Sequence, residues 1–163
     1  MPAQESRLVM CSAVSRYPFS VWADQFMDIA NFDNLMRAAL AQPEPQRLLF
    51  VFAGVELPDG ATTEQIADFE HGHGGVLVPL MCVDKAPDEL TDFRTLVDES
   101  DNMGQDWRFV FVAALSGRRD RPPASEDAAQ PLERMVEAIK QGRLEGFVSF
   151  DRGGQAVQLS SND

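Results

Sequence analysis

Leu48-Leu49-Phe50-Val51-Phe52-Ala53 is one of three apolar runs on which the reading of this chain turns. The others are Gly75-Val76-Leu77-Val78-Pro79-Leu80-Met81-Cys82-Val83 and Phe109-Val110-Phe111-Val112-Ala113-Ala114-Leu115. Polar and apolar residues do not alternate in any of them. Each is short for a helix and is bounded by turn or polar residues. That is the pattern of a strand covered on both faces. Segments with helical spacing separate the runs. The order strand, helix, strand, helix, strand predicts a layered α/β domain. The expected centre is a mixed, largely parallel sheet of four or five strands with flanking helices and a C-terminal β-hairpin.

The intervening segments carry their own signals. Asn31 is placed to cap a helix running to about Ala41, with Phe32, Leu35, Met36, Ala39 and Leu40 at helical spacing and Pro43 and Pro45 to end it. Pro58-Asp59-Gly60 marks a turn, and Thr62 with Gln65 forms a capping-box pattern for a short helix to Glu70. Pro79 removes a ladder donor, so its run reads as an edge strand or a bulged one. Pro87 stands at the first position of a helix opened by Lys85-Ala86-Pro87-Asp88-Glu89 and carrying Leu90, Phe93, Leu96 and Val97. Trp107 opens the third strand. A helix from Pro131 to Gln141 presents Leu132, Met135, Val136 and Ile139 on one face, with Gly142 beyond its end. Asp151-Arg152-Gly153-Gly154 separates two short apolar pieces and reads as a hairpin turn.

Bulk composition bounds the function. At 163 residues, one domain is expected. A chain of this length buries roughly 70% of its unfolded surface and needs no staples. The net charge is −12, with 26 acidic against 14 basic residues. Binding a phosphate backbone needs a cationic face, so nucleic acid is disfavoured as a partner, and anionic membranes with it. No stretch approaches the length of a membrane span. Cys11 and Cys82 are the two cysteines and form no metal or redox motif, which fits a reducing, cytoplasmic setting. Residues 1–26 show no clear period and carry Tyr17, Phe19, Trp22 and Phe26. They read either as an upstream-translated extension before a start at Met27, or as an extra N-terminal element packed by those aromatics. Residues 27–163 form the single α/β domain.

Two places could carry chemistry. In an open α/β sheet, ligands sit outside the carboxyl ends of parallel strands. The loops at such ends are 54–60, Asp84-Lys85 and Ser116-Gly117-Arg118-Arg119. With parallel strands they are expected to share one edge. Arg118, Arg119 and Arg121 are a basic island in an acidic chain, and with Lys85 they could hold a phosphate or carboxylate. Ser116 lacks the elbow motif of hydrolases. Glu70-His71-Gly72-His73 holds the only histidines and offers a metal reading, with Glu70, His71 and His73 as ligands of types suited to zinc or nickel. No cofactor is assigned: there is no Walker A loop, and Gly72-His73-Gly74-Gly75 precedes a strand instead of joining a strand to a helix.

From Met27 onward the chain resembles a small bacterial protein family. The resemblance is carried by Gln42-Pro43-Glu44-Pro45-Gln46-Arg47 and the run after it to Gly54, by Pro79 to Lys85, by Phe109 to Gly117, and by Pro131 to Ile139. Members often bear the automatic label "ribonucleotide reductase subunit alpha". That reaction needs a large barrel, a radical-bearing cysteine and a separate reducing pair of cysteines. Two cysteines in 163 residues cannot supply them. The expectation is therefore a cytoplasmic binding or interaction protein without catalytic machinery, forming a homodimer or meeting a protein partner through its edge strand and hairpin. The alternative is a small enzyme or sensor that binds an anionic metabolite at Lys85, Ser116, Arg118 and Arg119. A concave site holding those side chains would favour the alternative.

Overall fold

The computed structural model describes residues 29–71, 74–90, 92–118, 121–157 and 159. The three apolar runs are strands, and the first of them lies between the other two. β1 (Gln46–Glu56) pairs with β2 (Val76–Lys85) on one side and β3 (Phe109–Ser116) on the other. β4 (Val148–Phe150) follows β3, and β5 (Ala156–Val157) follows β4. The sheet order is β2-β1-β3-β4-β5.

Both faces of β1 are covered, as its composition requires. Leu48, Phe50 and Phe52 face one core, completed by Phe32, Leu35, Leu96, Trp107, Val110, Val112 and Phe150. Leu49, Val51 and Ala53 face the other, with Phe111, Leu115, Leu132, Met135, Val136 and Ile139. Alternate side chains of one strand thus supply two cores. α1 (Phe32–Leu40) and α3 (Phe93–Asp101) cover the first face, and α4 (Ala129–Lys140) covers the second.

Every strand pairing is antiparallel, which corrects the expectation of a largely parallel sheet. Burial on both faces reports layers, and it is silent about strand direction. The expected crossover after β1 does not form. α2 (Thr63–Glu70) has its reciprocal Thr62–Gln65 cap at 2.9 and 3.1 Å, yet it buries no residue. With only Ile66 and Phe69 as large apolar side chains, it cannot pack as a crossover helix on the sheet. The connection 57–75 is instead a wide hairpin returning the chain antiparallel beside β1. β2 and β3 both oppose β1, so they run the same way with β1 between them.

β2 is an edge strand and is also bulged. The register slips between Phe52 and Ala53: Met81 faces Phe52, Pro79 faces Ala53, and Leu80 is the extra residue. The helix expected at Pro87 starts later. Pro87–Glu89 is a single 3-10 turn, Leu90 is extended, and Asp92 caps α3 by accepting from the Thr95 backbone at 2.9 Å and its hydroxyl at 2.8 Å. Asp92 competes better for the start because its side chain satisfies an orphan donor of the first turn. Trp107 precedes β3 and is fully buried, donating from its indole to Ser100 Oγ at 2.8 Å. Arg152, in the β4–β5 turn, lies 4.4 Å from the centre of that indole and pairs with Asp101. Asn31 caps α1 as expected, accepting from Asn34 at 3.0 Å. No described helix is long and apolar enough to cross a membrane.

Candidate functional site: an arginine-lined cleft at the end of β3

Antiparallel pairing rearranges the strand ends. Leu48 of β1 lies opposite Lys85, and Gln46 lies opposite Ser116. The carboxyl ends of β2 and β3 therefore flank the beginning of β1. The loop 54–60 leaves the opposite end of the sheet, beside Val76 and Phe109. Two of the three expected loops share an edge and the third does not.

The pleat then separates Asp84 from Lys85. Neighbouring residues of a strand point to opposite faces. Asp84 Oδ2 accepts from Arg47 Nε at 2.6 Å and from Ser125 Oγ at 2.7 Å. Lys85 Nζ pairs with Glu99 Oε1 of α3 at 2.8 Å, on the other face. Adjacent in the chain, the two therefore have separate partners on separate faces. Asp84 ties the start of β1 and the end of β2 to the 3-10 turn Ser125–Ala128 that leads into α4.

Beyond Ser116 the chain folds into a narrow turn. Arg118 and Arg121 exchange backbone hydrogen bonds at 3.1 and 2.8 Å, and Gly117 donates to the Pro45 carbonyl at 2.8 Å. Arg119 lies outside the described residues. This turn, the prolines after it and the first turns of α4 enclose a cleft of about 670 Å3. Its walls include Ser116, Arg118, Arg121 and Arg134, with Leu115 and three prolines as the apolar part. Glu126, Asp127 and Gln130 complete it. Among the described residues three guanidiniums thus line the cleft with two carboxylates, in a chain where acids outnumber bases almost two to one.

No ion pair among the described residues holds Arg118, Arg121 or Arg134. Arg134 is half-buried, and its Nε is buried without a hydrogen-bond partner. An unsatisfied buried donor costs about 1–3 kcal/mol. Asp127 is partly engaged, because its Oδ2 accepts from the Ala124 backbone at 2.9 Å. Ser116 Oγ exchanges hydrogen bonds with the Gln46 amide at 3.0 and 3.3 Å.

Sequence reasoning placed Ser116 and Arg118 at this edge and saw Arg121 beside them. Arg134 it missed. The available signal was its position: Arg134 borders the buried stripe of α4, between Leu132 and Met135, where a cation reaches the rim of the core. Lys85 does not line the cleft.

The metal reading has less to stand on. His71 follows α2, and its Nδ1 donates to the Ala67 carbonyl at 2.7 Å. His73 lies outside the described residues. Among the described residues no group of three His, Cys, Asp or Glu side chains is placed to hold a metal ion. Cys82 is half-buried on β2, and burial pushes its thiol pKa up, away from a reactive thiolate.

No family model, curated protein or solved structure matches this chain.

Proposed function

We propose that this protein binds an anionic small molecule in the cleft between the Arg118–Arg121 turn and α4. The carrying observation is that Arg118, Arg121 and Arg134 line one concave surface and that no ion pair among the described residues holds any of them. Guanidinium forks match the oxygens of phosphates and carboxylates, and they are charged at every accessible pH. The cleft volume falls in the range of small-molecule sites, about 300–1,000 Å3. The hydrogen-bonded pairing of Ser116 with Gln46 supports binding over covalent turnover.

The test is a thermal-shift and calorimetric panel on the full chain with phosphate monoesters, pyrophosphate, inorganic phosphate and citrate. An anion at one hundred times its dissociation constant stabilises the fold by about 2.7 kcal/mol. Saturable binding that is lost in the double variant Arg118→Gln, Arg134→Gln supports the reading. Lys85→Ala is the control and should bind as the parent does, because its partner is Glu99. Binding by none of the probes, or equal binding by the double variant, overturns it.

A further inference from the structure

Resting on that reading, we infer that the anion is the phosphate monoester of a sugar or polyol. The number of guanidiniums bears on the head group. A carboxylate is planar, and one guanidinium fork matches its two oxygens. A phosphate monoester presents three terminal oxygens and a charge of about −1.5 to −2 near neutral pH. Arg118, Arg121 and Arg134 all line the cleft and together offer more donors than one carboxylate takes up.

The remaining walls describe the rest of the ligand. Phosphate alone would leave most of the roughly 670 Å3 to water. Glu126, the free oxygen of Asp127 and Gln130 are acceptors, and Gln130 is also a donor. Hydroxyl groups satisfy such a wall. A second anionic group would be repelled by it, which disfavours polyanions such as citrate or a nucleoside triphosphate. Among the described residues no aromatic ring lines the cleft, so a nucleobase would find no stacking platform there. Leu115, Pro122, Pro123 and Pro131 supply an apolar side against which the C–H face of a sugar can lie.

Glu126 makes the inference testable, because its carboxylate acts with opposite sign on two probes. It accepts from the hydroxyls of a sugar phosphate and repels bare phosphate. The full chain is titrated calorimetrically with glucose 6-phosphate, inorganic phosphate, AMP and citrate. Glucose 6-phosphate should bind about tenfold more tightly than inorganic phosphate, the worth of one or two added hydrogen bonds. Glu126→Ala, an exposed position, should weaken glucose 6-phosphate and strengthen inorganic phosphate. Arg134→Lys keeps the charge, loses the fork and should weaken both by about tenfold. Equal affinity for the two phosphates, or a Glu126→Ala variant that strengthens both, overturns the sugar or polyol assignment. Tighter binding of citrate or AMP overturns the ligand class and leaves the anion site standing. No binding of any probe overturns the anion site itself.

Discussion

Gly117 is where the backbone can least accept a side chain. A Cβ there would fall on the carbonyl oxygen of Arg121 and come within 3.0 Å of Pro123 Cδ. The obstacle is backbone, which cannot swing aside, and the same turn carries Arg118 and Arg121. Gly117→Ala should therefore destabilise the fold by about 1–3 kcal/mol and weaken anion binding as the turn opens, both read in melts with and without glucose 6-phosphate. A variant with unchanged melting and binding would show that the turn is not held this closely. Asp92 offers a second test. The Thr95 backbone N–H, then its hydroxyl, holds the Asp92 carboxyl below the ordinary aspartate pKa. A lowered folded pKa means that the stabilisation is complete above the unfolded value and fades as pH falls through the folded one. Asp92→Asn keeps a capping oxygen without that titration. Its melting temperature should fall less steeply than the parent's between those two pKa values, as followed by melts at stepped acid pH. At this scale the sequence was half legible. Ser116 and Arg118 follow a strand end and could be placed there. Arg134 could not, because only tertiary packing brings α4 against the turn. Asp84 and Lys85 look like a pair in the chain, and the pleat sends them to opposite faces.

At the scale of elements, the three runs were read correctly as strands, and burial left its mark most directly on the composition of β1 and β3, whereas β2 at the sheet edge is only half-buried. Direction leaves no such mark. It depends on whether the connecting helix packs as a crossover, and α2 is too polar to do so. Its Thr62–Gln65 cap was legible, while its failure to pack had to be judged from two apolar residues. The C-terminal hairpin was legible from Asp151 and Gly154: Asp151 Oδ1 accepts from Gly153 and Gln155, and Gly154 turns with φ at 81°. The joint among Arg47, Asp84 and Ser125 was not legible, since it links three segments far apart in sequence. It has a mechanical role, because it anchors the turn that supplies Glu126 and Asp127 to the cleft. Removing Asp84 would leave the Arg47 guanidinium, whose side chain is 14% exposed, with only Glu89 at 3.8 Å. Asp84→Ala should cost about 2 kcal/mol, or about 5 °C in melting temperature for a chain of this size. Sugar-phosphate binding should weaken only a few-fold, because Asp84 does not line the cleft. Abolished binding at a temperature where the variant is fully folded would place Asp84 in the site itself.

At the scale of the whole molecule, the net charge opposes the anion proposed for the cleft. A net charge of −12 surrounds three guanidiniums confined to one concavity. These fields differ in range, and salt separates them. At about 0.01 M ionic strength the Debye length is about 30 Å, so an approaching dianion feels the acidic surface of the entire domain. At about 0.15 M it is about 8 Å, and only the nearest charges remain. Attraction inside the cleft acts at contact and is screened much less. The association rate for glucose 6-phosphate should therefore rise between those two salt concentrations, while the dissociation rate changes little. A receptor with an overall basic surface shows the opposite trend, because there the long-range field assists encounter. Stopped-flow measurement of both rate constants across this range decides the matter. An association rate that falls steadily with salt would mean that a local positive field reaches well beyond the cleft mouth, and that the acidic surface lies away from the path of entry.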